Sequence, residues 1–423
     1  MKSTKITEIA CYVAYVTQAI ILNLLPLFFV IFQTDYDISA SQLSLTVFLT
    51  FFVQIGIDFL VAYIGERANL RILAVLAHVM AASGPVLLAI LPGVIDPFAG
   101  IIIAVVLYSV GSGLIEVMIN PLFDRLPQKE SKGFSFAHSF YCWGQMGVIL
   151  ISTLALFILD GAWRIVPLLW AIIPAVNAIA LAFAPIPEKD ASKEGGSAKH
   201  SKKQKFGKFS MLLFIAVMIC AGASEQGVAQ WASYFAEKGL GTGKLLGDLL
   251  GPCMFAFFMA IGRTLFSVLG KRIDITKALT ACAVATSVCH FAIALIPSPI
   301  LSLTACALCG LTVSIMWPAT LDLASSSFYC GTAAFSLLSV AGDIGCTVGP
   351  SVNGVVSDLF STTALAEKLG SSLGLSAEQI AIRLGFLLDS VFPIIMIFML
   401  LTISKKLLCG SKKTLAPEIT DGK

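Results

Sequence analysis

Long apolar stretches alternate with short polar connections along almost the whole chain, and this pattern is the strongest signal in the sequence. Each stretch has about the twenty residues that a helix needs to cross a bilayer. In lipid, stretches of this length satisfy their backbone hydrogen-bonding groups as helices and are too long for the strands of a barrel. We expect twelve spans, at 9–32, 43–64, 70–92, 98–123, 133–158, 163–184, 209–236, 246–270, 276–296, 299–321, 332–358 and 381–404.

One polar segment interrupts this pattern in the middle of the chain. Residues 185–208 are rich in Lys and contain Gly-Gly and Ser, which predicts a flexible linker. The chain therefore divides into a six-helix half at 1–184, the linker, and a second six-helix half with a short tail at 209–423. A weak repeat, GLIEVMINP at 113–121 against GLTVSIMWP at 310–318, recurs at the same span number in each half. The predicted fold is an all-α membrane protein with twelve transmembrane helices in two pseudo-symmetric halves.

The composition supports a membrane location. Apolar residues make up 57% of the chain and charged residues 13%, with a mean hydropathy of +0.90, whereas soluble domains carry about a quarter charged residues. With the N-terminus in the cytoplasm, 22 of the 28 Lys and Arg residues fall in cytoplasmic segments and five in outside loops. This excess predicts a multi-pass plasma-membrane protein with both termini in the cytoplasm.

The sequence carries no signal for an enzyme. Segments outside the spans are too short for a catalytic domain, and we find no nucleophile elbow, HExxH motif or phosphate-binding loop. The pair Cys306 and Cys309 lacks the second pair or histidine that a metal site needs, so no metal or cofactor is predicted. The basic residues serve topology, and no nucleic-acid partner is expected.

A single carboxylate stands out in the fourth span. Glu116 lies in the apolar run 105–123, where an ionisable group costs about 3 kcal/mol to insert. Asn120 follows four residues later on the same helical face. Such a pair predicts a site for a proton or for substrate hydroxyl groups; the alternative is a structural hydrogen bond between spans four and five. Burial favours the neutral form of a carboxyl group, so Glu116 is our candidate for proton binding.

A second polar set lies near the middle of span seven. Glu225, Gln226, Gln230 and Trp231 combine amides, a carboxylate and an aromatic face, which suits a hydroxyl-rich ligand. Tyr234 follows, and an interfacial aromatic belt is the alternative for both rings. Trp317 takes the repeat position of Asn120 in span ten and either stacks on substrate or fills a helix crossing.

Further ionisable residues within the spans suggest gating or structural charges. Arg263 is the only strong cation placed within a span, and Asp343 is our first choice as its partner, with Asp58 as the alternative across the halves. A pair that forms and breaks would bias two conformations. His138, at the start of span five, is either a proton relay or a structural histidine. Ser376 with Gln379 predicts a capping box that opens the last helix.

Several of these segments resemble the major facilitator superfamily, and within it the fucose permease branch of sugar:proton symporters. The similar stretches are GLIEVMINPLF with Glu116, Asn120 and Pro121; SEQGVAQWASYF with Glu225, Trp231 and Tyr234; IGRTLFS with Gly262 and Arg263; and AGDIGCTVGPSVNGVVSD. The resemblance implies a central cavity lined by spans one, four, seven and ten. In that branch a carboxylate of span one acts together with the Glu of span four. Here span one offers Gln18 and Asn23 instead, so the resemblance predicts neither fucose nor a two-carboxylate scheme.

These observations together predict a secondary transporter that works by alternating access. The expected activity is proton-coupled uptake of a small polar solute, a sugar or sugar-like molecule, by a monomer in the lipid bilayer. The alternative is an exporter of amphipathic or drug-like compounds, with which Trp231, Trp317 and the 29 Phe residues are compatible.

Overall fold

The fold is built from membrane-spanning helices. A computed structural model describes residues 4–64, 69–124, 133–186, 208–327 and 332–414, and within these ranges the chain forms helices and turns without a strand. Eleven of the described segments are long and apolar enough to cross a membrane. The helix Thr332–Ser361 packs among them as the twelfth. The predicted all-α fold with twelve spans in two six-helix halves is confirmed.

The helix bounds agree with the predicted spans except at the ends. The first half contains α1 (Lys5–Tyr36), α2 (Ala40–Ile64), α3 (Leu70–Ile90), α4 (Pro97–Asp124), α5 (Gly133–Ile158) and α6 (Ile165–Phe183). The second half contains α7 (Lys208–Tyr234), α8 (Lys244–Leu269), α9 (Ile275–Leu295), α10 (Pro299–Val313 and Met316–Ser327), α11 (Thr332–Ser361) and α12 (Ala377–Asp389 and Val391–Thr414). A short helix, Ala364–Leu373, lies between α11 and α12. Most of the predicted linker falls outside the described residues.

Local sequence signals explain several helix ends. The Ser376 hydroxyl accepts the backbone N–H of Gln379, and the Gln379 side chain accepts the N–H of Ser376, so the predicted capping box opens α12. Asn69 caps α3 and Asp274 caps α9. In each cap the side chain accepts hydrogen bonds from backbone N–H groups of the first turn. Pro26 coincides with a 3₁₀ turn, Leu25–Phe28, that interrupts α1.

Glycines set the close crossing of α7 and α11 in the second half. A Cβ atom on Gly345 would lie 2.0 Å from the carbonyl oxygen of Ile219, and one on Gly349 would lie 2.4 Å from that of Ala223. Two glycines four residues apart let the backbones approach as in other membrane helix pairs. Side chains on these two helices are therefore held at fixed positions relative to each other.

The two halves meet chiefly through α2 against α11 and α5 against α8. We call the end of the bundle where α1 begins at Lys5 the termini end, and the opposite end, where α1 stops at Tyr36, the far end. Hydrogen bonds between the halves cluster toward the far end: Ser41 N–H to Asp358 Oδ2 at 3.1 Å, Tyr234 OH to Gln33 Oε1 at 3.2 Å, and Thr153 Oγ1 to Asp248 Oδ2 at 3.0 Å. The halves are therefore closed on each other at the far end.

Candidate functional site between the two halves

Glu116 of α4 is held by an amide from α1. The Nε2 atom of Gln18 donates to Oε2 of Glu116 at 3.1 Å, and both side chains are half-buried where the halves face each other. Among the described residues no Lys or Arg pairs with Glu116. By helical rise, Glu116 lies about 12 Å from the termini end of α4, because eight residues separate it from Asp124. The carboxyl group is thus neither in lipid nor neutralised by a base.

Two predicted positions cannot be placed by their side chains. Asn120 continues α4 and His138 lies in the first turns of α5, but both side chains fall outside the described part of the structure. Their proposed roles, at the site and in proton relay, stay predictions.

Arg263 pairs with Glu225, and the expected pairing with Asp343 is wrong. The Nη2 atom of Arg263 on α8 donates to Oε2 of Glu225 on α7 at 2.9 Å, and Nε donates to the carbonyl oxygen of Ser314 at 3.2 Å. The physical reason is proximity on adjacent helices: a buried guanidinium is stabilised by the carboxylate that its planar fork can reach. The alternative partner, Asp58, does not bind Arg263 either.

The Arg263–Glu225 pair faces the first half through an aromatic ring. The guanidinium carbon of Arg263 lies 6.0 Å from the ring centroid of Tyr141 on α5, within the range of a cation–π contact. The hydroxyl of Tyr141 accepts Nδ2 of Asn23 on α1 at 3.4 Å. Asn23 therefore belongs to a polar path that runs from α1 through Tyr141 to Arg263.

The amides of α7 form a chain toward α1. Gln226 Nε2 donates to Glu225 Oε1 at 3.4 Å, and Gln230 Nε2 donates both to Gln226 Oε1 at 2.9 Å and to the carbonyl oxygen of Leu22 at 3.0 Å. All three side chains of α7 are buried. The structure brings together Gln18, Asn23, Glu116, Glu225, Gln226 and Gln230 as polar groups on the facing helices α1, α4 and α7.

Trp231 lies beyond this set, within the far-end closure. Its ring is buried, Nε1 donates to the carbonyl oxygen of Pro350 at 2.9 Å, and the ring packs on Phe29 with centroids 5.5 Å apart. Tyr234 is also buried and donates to Gln33 and Glu378 at 3.2 Å each. In this conformation both rings stabilise contacts between helices. Because both are buried, neither belongs to an aromatic belt at the membrane interface, which was the alternative interpretation.

Trp317 and Asp343 meet where α10 crosses α11. A Cβ atom on Gly342 would lie 2.2 Å from Cη2 of Trp317, so the indole ring rests directly on the backbone beside Asp343. The Asp343 side chain is only 4% exposed, and its Oδ2 atom has no hydrogen-bond partner among the described residues. Trp317 itself stays half-buried. Within the described part of the chain this buried carboxyl group has no basic partner, which distinguishes it from Glu225.

Asp58 stands beside Glu116 because α2 and α4 run parallel in register. Gln54 Nε2 of α2 donates to Ser112 Oγ of α4 at 3.0 Å, and Asp58 and Glu116 each follow one turn later. Asp58, Glu116 and Asp343 lie within electrostatic range of one another. We call these three side chains the carboxylate cluster. It joins α2 and α4 of the first half to α11 of the second.

Sequence reasoning missed Tyr141 and the cluster as a unit. Tyr141 lies in the stretch SFYCWG with no local signal of function, although an aromatic residue near one predicted cation is a recurring pair. Asp58 and Asp343 were each identified, but their approach depends on how the halves dock. The equal spacing Gln54–Asp58 and Ser112–Glu116 on two parallel spans was the one available signal.

The family follows from comparison of this sequence with known ones. The family model described as Major Facilitator Superfamily matches residues 10–350. The chain belongs to the major facilitator superfamily. No protein of curated function matches this superfamily member's sequence significantly.

Solved structures show the same fold at low identity. The nucleoside transporter NupG is 12% identical, with a TM-score of 0.68 over 96% of this chain and 100% of that one. The D-xylose-proton symporter is 15% identical, with a TM-score of 0.69 over 92% of this chain and 96% of that one. The fucose:proton symporter FucP of E. coli (N162A) is 15% identical, with a TM-score of 0.57 over 93% and 99%. As a member of the major facilitator superfamily, the chain is a multi-pass membrane transporter of small molecules and not an enzyme.

Proposed function

We propose that the protein carries out proton-coupled uptake of a small, neutral, hydroxyl-rich solute by alternating access, with Glu116 as the proton-binding group. The observation that carries this proposal is the state of Glu116: half-buried between the halves, bound by the Gln18 amide and unpaired by any described Lys or Arg. A carboxyl group in that position can gain and lose a proton as access changes. Glu225, by contrast, is held in an ion pair with Arg263.

The amides around Glu116 support a sugar-like solute. Gln18, Asn23, Gln226 and Gln230 supply donors and acceptors at fixed positions, and half-buried Trp317 offers an aromatic face. A few polar groups of this kind give orientation and specificity to sites for small ligands. The sugar- and nucleoside-transporting proteins of the same fold make sugars and nucleosides the first solutes to test.

The orientation we propose places the termini end in the cytoplasm of a cell whose plasma membrane holds the protein as a monomer. The distribution of Lys and Arg supports it, since 22 of 28 lie on the side of the termini. The far end then faces outside, and the structure corresponds to a state closed to the outside. A fluorescent reporter fused to either terminus should be protected from quencher added outside intact cells.

Counterflow in proteoliposomes tests the function. Vesicles loaded with a candidate hexose, pentose or nucleoside should exchange it for labelled solute outside. A proton gradient directed into the vesicles, with the outside more acidic, should drive accumulation of the solute. Glu116→Gln should abolish pH-driven accumulation and keep exchange, because the amide cannot exchange a proton but still forms hydrogen bonds. Glu8→Gln, an exposed position on α1, is the matched control and should accumulate normally. Accumulation by Glu116→Gln at the level of the unaltered protein would contradict the assignment.

The same vesicles separate uptake from export. Should the solute leave the vesicles against its gradient when protons enter in exchange, and amphipathic compounds compete better than sugars, the exporter alternative is correct.

A further inference from the structure

The carboxylate cluster contains more acid groups than the proposed coupling by Glu116 uses. Asp58 and Glu116 come from the first half and Asp343 from the second, so the cluster bridges the surface along which the halves move. Glu225, a fourth carboxylate nearby, is already neutralised by Arg263. Among the described residues no cation balances the other three.

The Asp343 side chain is built into the protein as an unsatisfied acceptor. It is 96% buried by accessible area, since only 4% is exposed, and Oδ2 has no partner among the described residues. Oδ1 of Asp58 is likewise buried without a described partner. An ionised carboxylate left in this way would cost several kcal/mol, so the site requires a positive charge to enter or the acid to be neutral.

The described residues around Asp343 do not supply that charge. The charges that act on it from α2 and α4 are those of Asp58 and Glu116, and both are negative. On α7 the nearest charge is Glu225, whose field reaches Cys346 one turn further along α11 and which is bound to Arg263 of α8. On α12, Asp389 is buried and hydrogen-bonded by Asn353, about 15 Å further along α11 than Asp343. On α10 the nearest residue is Trp317, and Asp322 of that helix is exposed.

We propose that Asp343 is a second proton-binding residue and shares a proton with Glu116 across the two halves, while Asp58 adjusts the charge of the pair. This inference rests on the proposed proton coupling by Glu116. When both acids are ionised they repel and favour separation of the halves at the termini end. When one proton lies between them, a hydrogen bond can form and the halves can approach.

A proton is favoured over a metal ion by the composition of the cluster. No group of three or more His, Cys, Asp or Glu side chains in the described ranges has the geometry to hold a metal ion. Two carboxyl groups that approach closely need only one shared proton to be neutralised in part.

The indole of Trp317 provides a direct measurement because it rests beside Asp343. A variant with Phe in place of Trp143, Trp163, Trp170 and Trp231 leaves Trp317 as the only tryptophan. Its emission, excited at a wavelength that tyrosine does not absorb, is followed from roughly pH 5 to pH 9 in detergent. We expect a pH-dependent change that disappears in Asp343→Asn. In Glu116→Gln the change should persist with its midpoint lowered by about one pH unit, because loss of a neighbouring negative charge makes ionisation of Asp343 easier. Asp274→Asn, the same substitution at the exposed N-cap of α9, should leave the midpoint unchanged.

Three outcomes would overturn the inference. A full pH response in Asp343→Asn, or an unmoved midpoint in Glu116→Gln, would show that the two acids do not share a proton. A response of Trp317 to NaCl at constant pH, absent with choline chloride, would assign a metal cation to the site instead.

Transport supplies a second readout if the single-tryptophan protein does not fold. In the native tryptophan background, Asp343→Asn should lose pH-driven accumulation as Glu116→Gln does, and should keep counterflow. The double variant of Asp343→Asn with Glu116→Gln should show no further defect, because the two residues act as one unit. If only Glu116→Gln is uncoupled, the shared proton is excluded and the proposed function stands. If neither variant is uncoupled, both proposals fail.

Discussion

At the scale of single residues, three acidic residues within the spans have different environments, and these environments decide whether each can bind and release a proton. Glu225 is bound to Arg263 at 2.9 Å, Glu116 is bound by an amide, and one oxygen of Asp343 has no partner among the residues that the structure describes. An ion pair fixes charge, whereas an acid without a base can change protonation. The same side-chain chemistry therefore serves structure in one place and, in our proposal, coupling in another.

The contrast between Glu225 and Glu116 gives a stability prediction. Glu225→Gln leaves the Arg263 guanidinium buried without its partner, which costs about 3 kcal/mol or more. Glu116→Gln removes no ion pair and should cost less than about 1 kcal/mol. Thermal unfolding in detergent, followed by tryptophan fluorescence, should show a clearly lower melting temperature for Glu225→Gln only. The double variant Glu225→Gln with Arg263→Gln should recover part of the loss, and equal melting temperatures for both single variants would refute the assignment.

At the scale of helices, close crossings hold the polar groups in place. The glycines of α11 allow contact with the backbone of α7, and this contact fixes Asp343 relative to Glu225. In the first half, a Cβ atom on Gly113 would lie 2.9 Å from Cβ of Ile57, which brings α2 and α4 together next to the Gln54–Ser112 hydrogen bond. One pair of helices in each half, α7 with α11 and α2 with α4, is therefore held in close contact.

A matched pair of glycine substitutions tests this packing. Gly345→Ala places a methyl group against the carbonyl oxygen of Ile219 and should cost about 1–3 kcal/mol through overpacking. Gly147→Ala on α5 introduces the same methyl group where no atom lies within 4 Å and should be neutral or slightly stabilising. Melting temperatures of the two purified variants provide the comparison. An undiminished melting temperature for Gly345→Ala would mean that α7 and α11 pack less closely than described.

At the scale of the whole molecule, polar contacts close the far end. Asp248 of α8 is buried and accepts hydrogen bonds from Thr153 of α5, in the other half, and from Ser233 and Lys244 of its own half. Lys244 also pairs with Glu237 at 3.6 Å. Alternating access requires the contact between Thr153 and Asp248, which joins the two halves, to break when the far end opens.

Weakening this contact should shift the balance between conformations. Asp248→Asn weakens the charge-assisted hydrogen bond that Thr153 donates from the other half, a bond worth about 1.5 kcal/mol. Its loss corresponds to about tenfold in the equilibrium toward an open far end. Hydrogen–deuterium exchange should rise in peptides from the first turns of α8 and from the end of α5. Asp274→Asn, an N-cap of α9 where Asn serves equally well, should leave these peptides unchanged. Unaltered hydrogen–deuterium exchange in Asp248→Asn would mean that this contact does not help to keep the far end closed.

The twelve helices and their order could be predicted because lipid imposes a local rule on the chain. Each span must satisfy its own backbone and present apolar side chains, and that requirement is visible in any stretch of twenty residues. The capping box at Ser376 was predictable for the same reason, since both partners lie three residues apart. The partner of Arg263 was not, because Glu225 and Asp343 lie on two different helices and sequence does not give their rotation.

The sequence by itself determined the membrane fold, the division into halves and the identity of the acid, amide and aromatic side chains within the spans. Only the tertiary structure decided which acid meets a base, which one meets an amide and which three approach one another. The reason is that pairing between spans depends on helix rotation, register and docking. These are set by packing over the whole interface and by glycines such as Gly345, far from the paired groups in sequence.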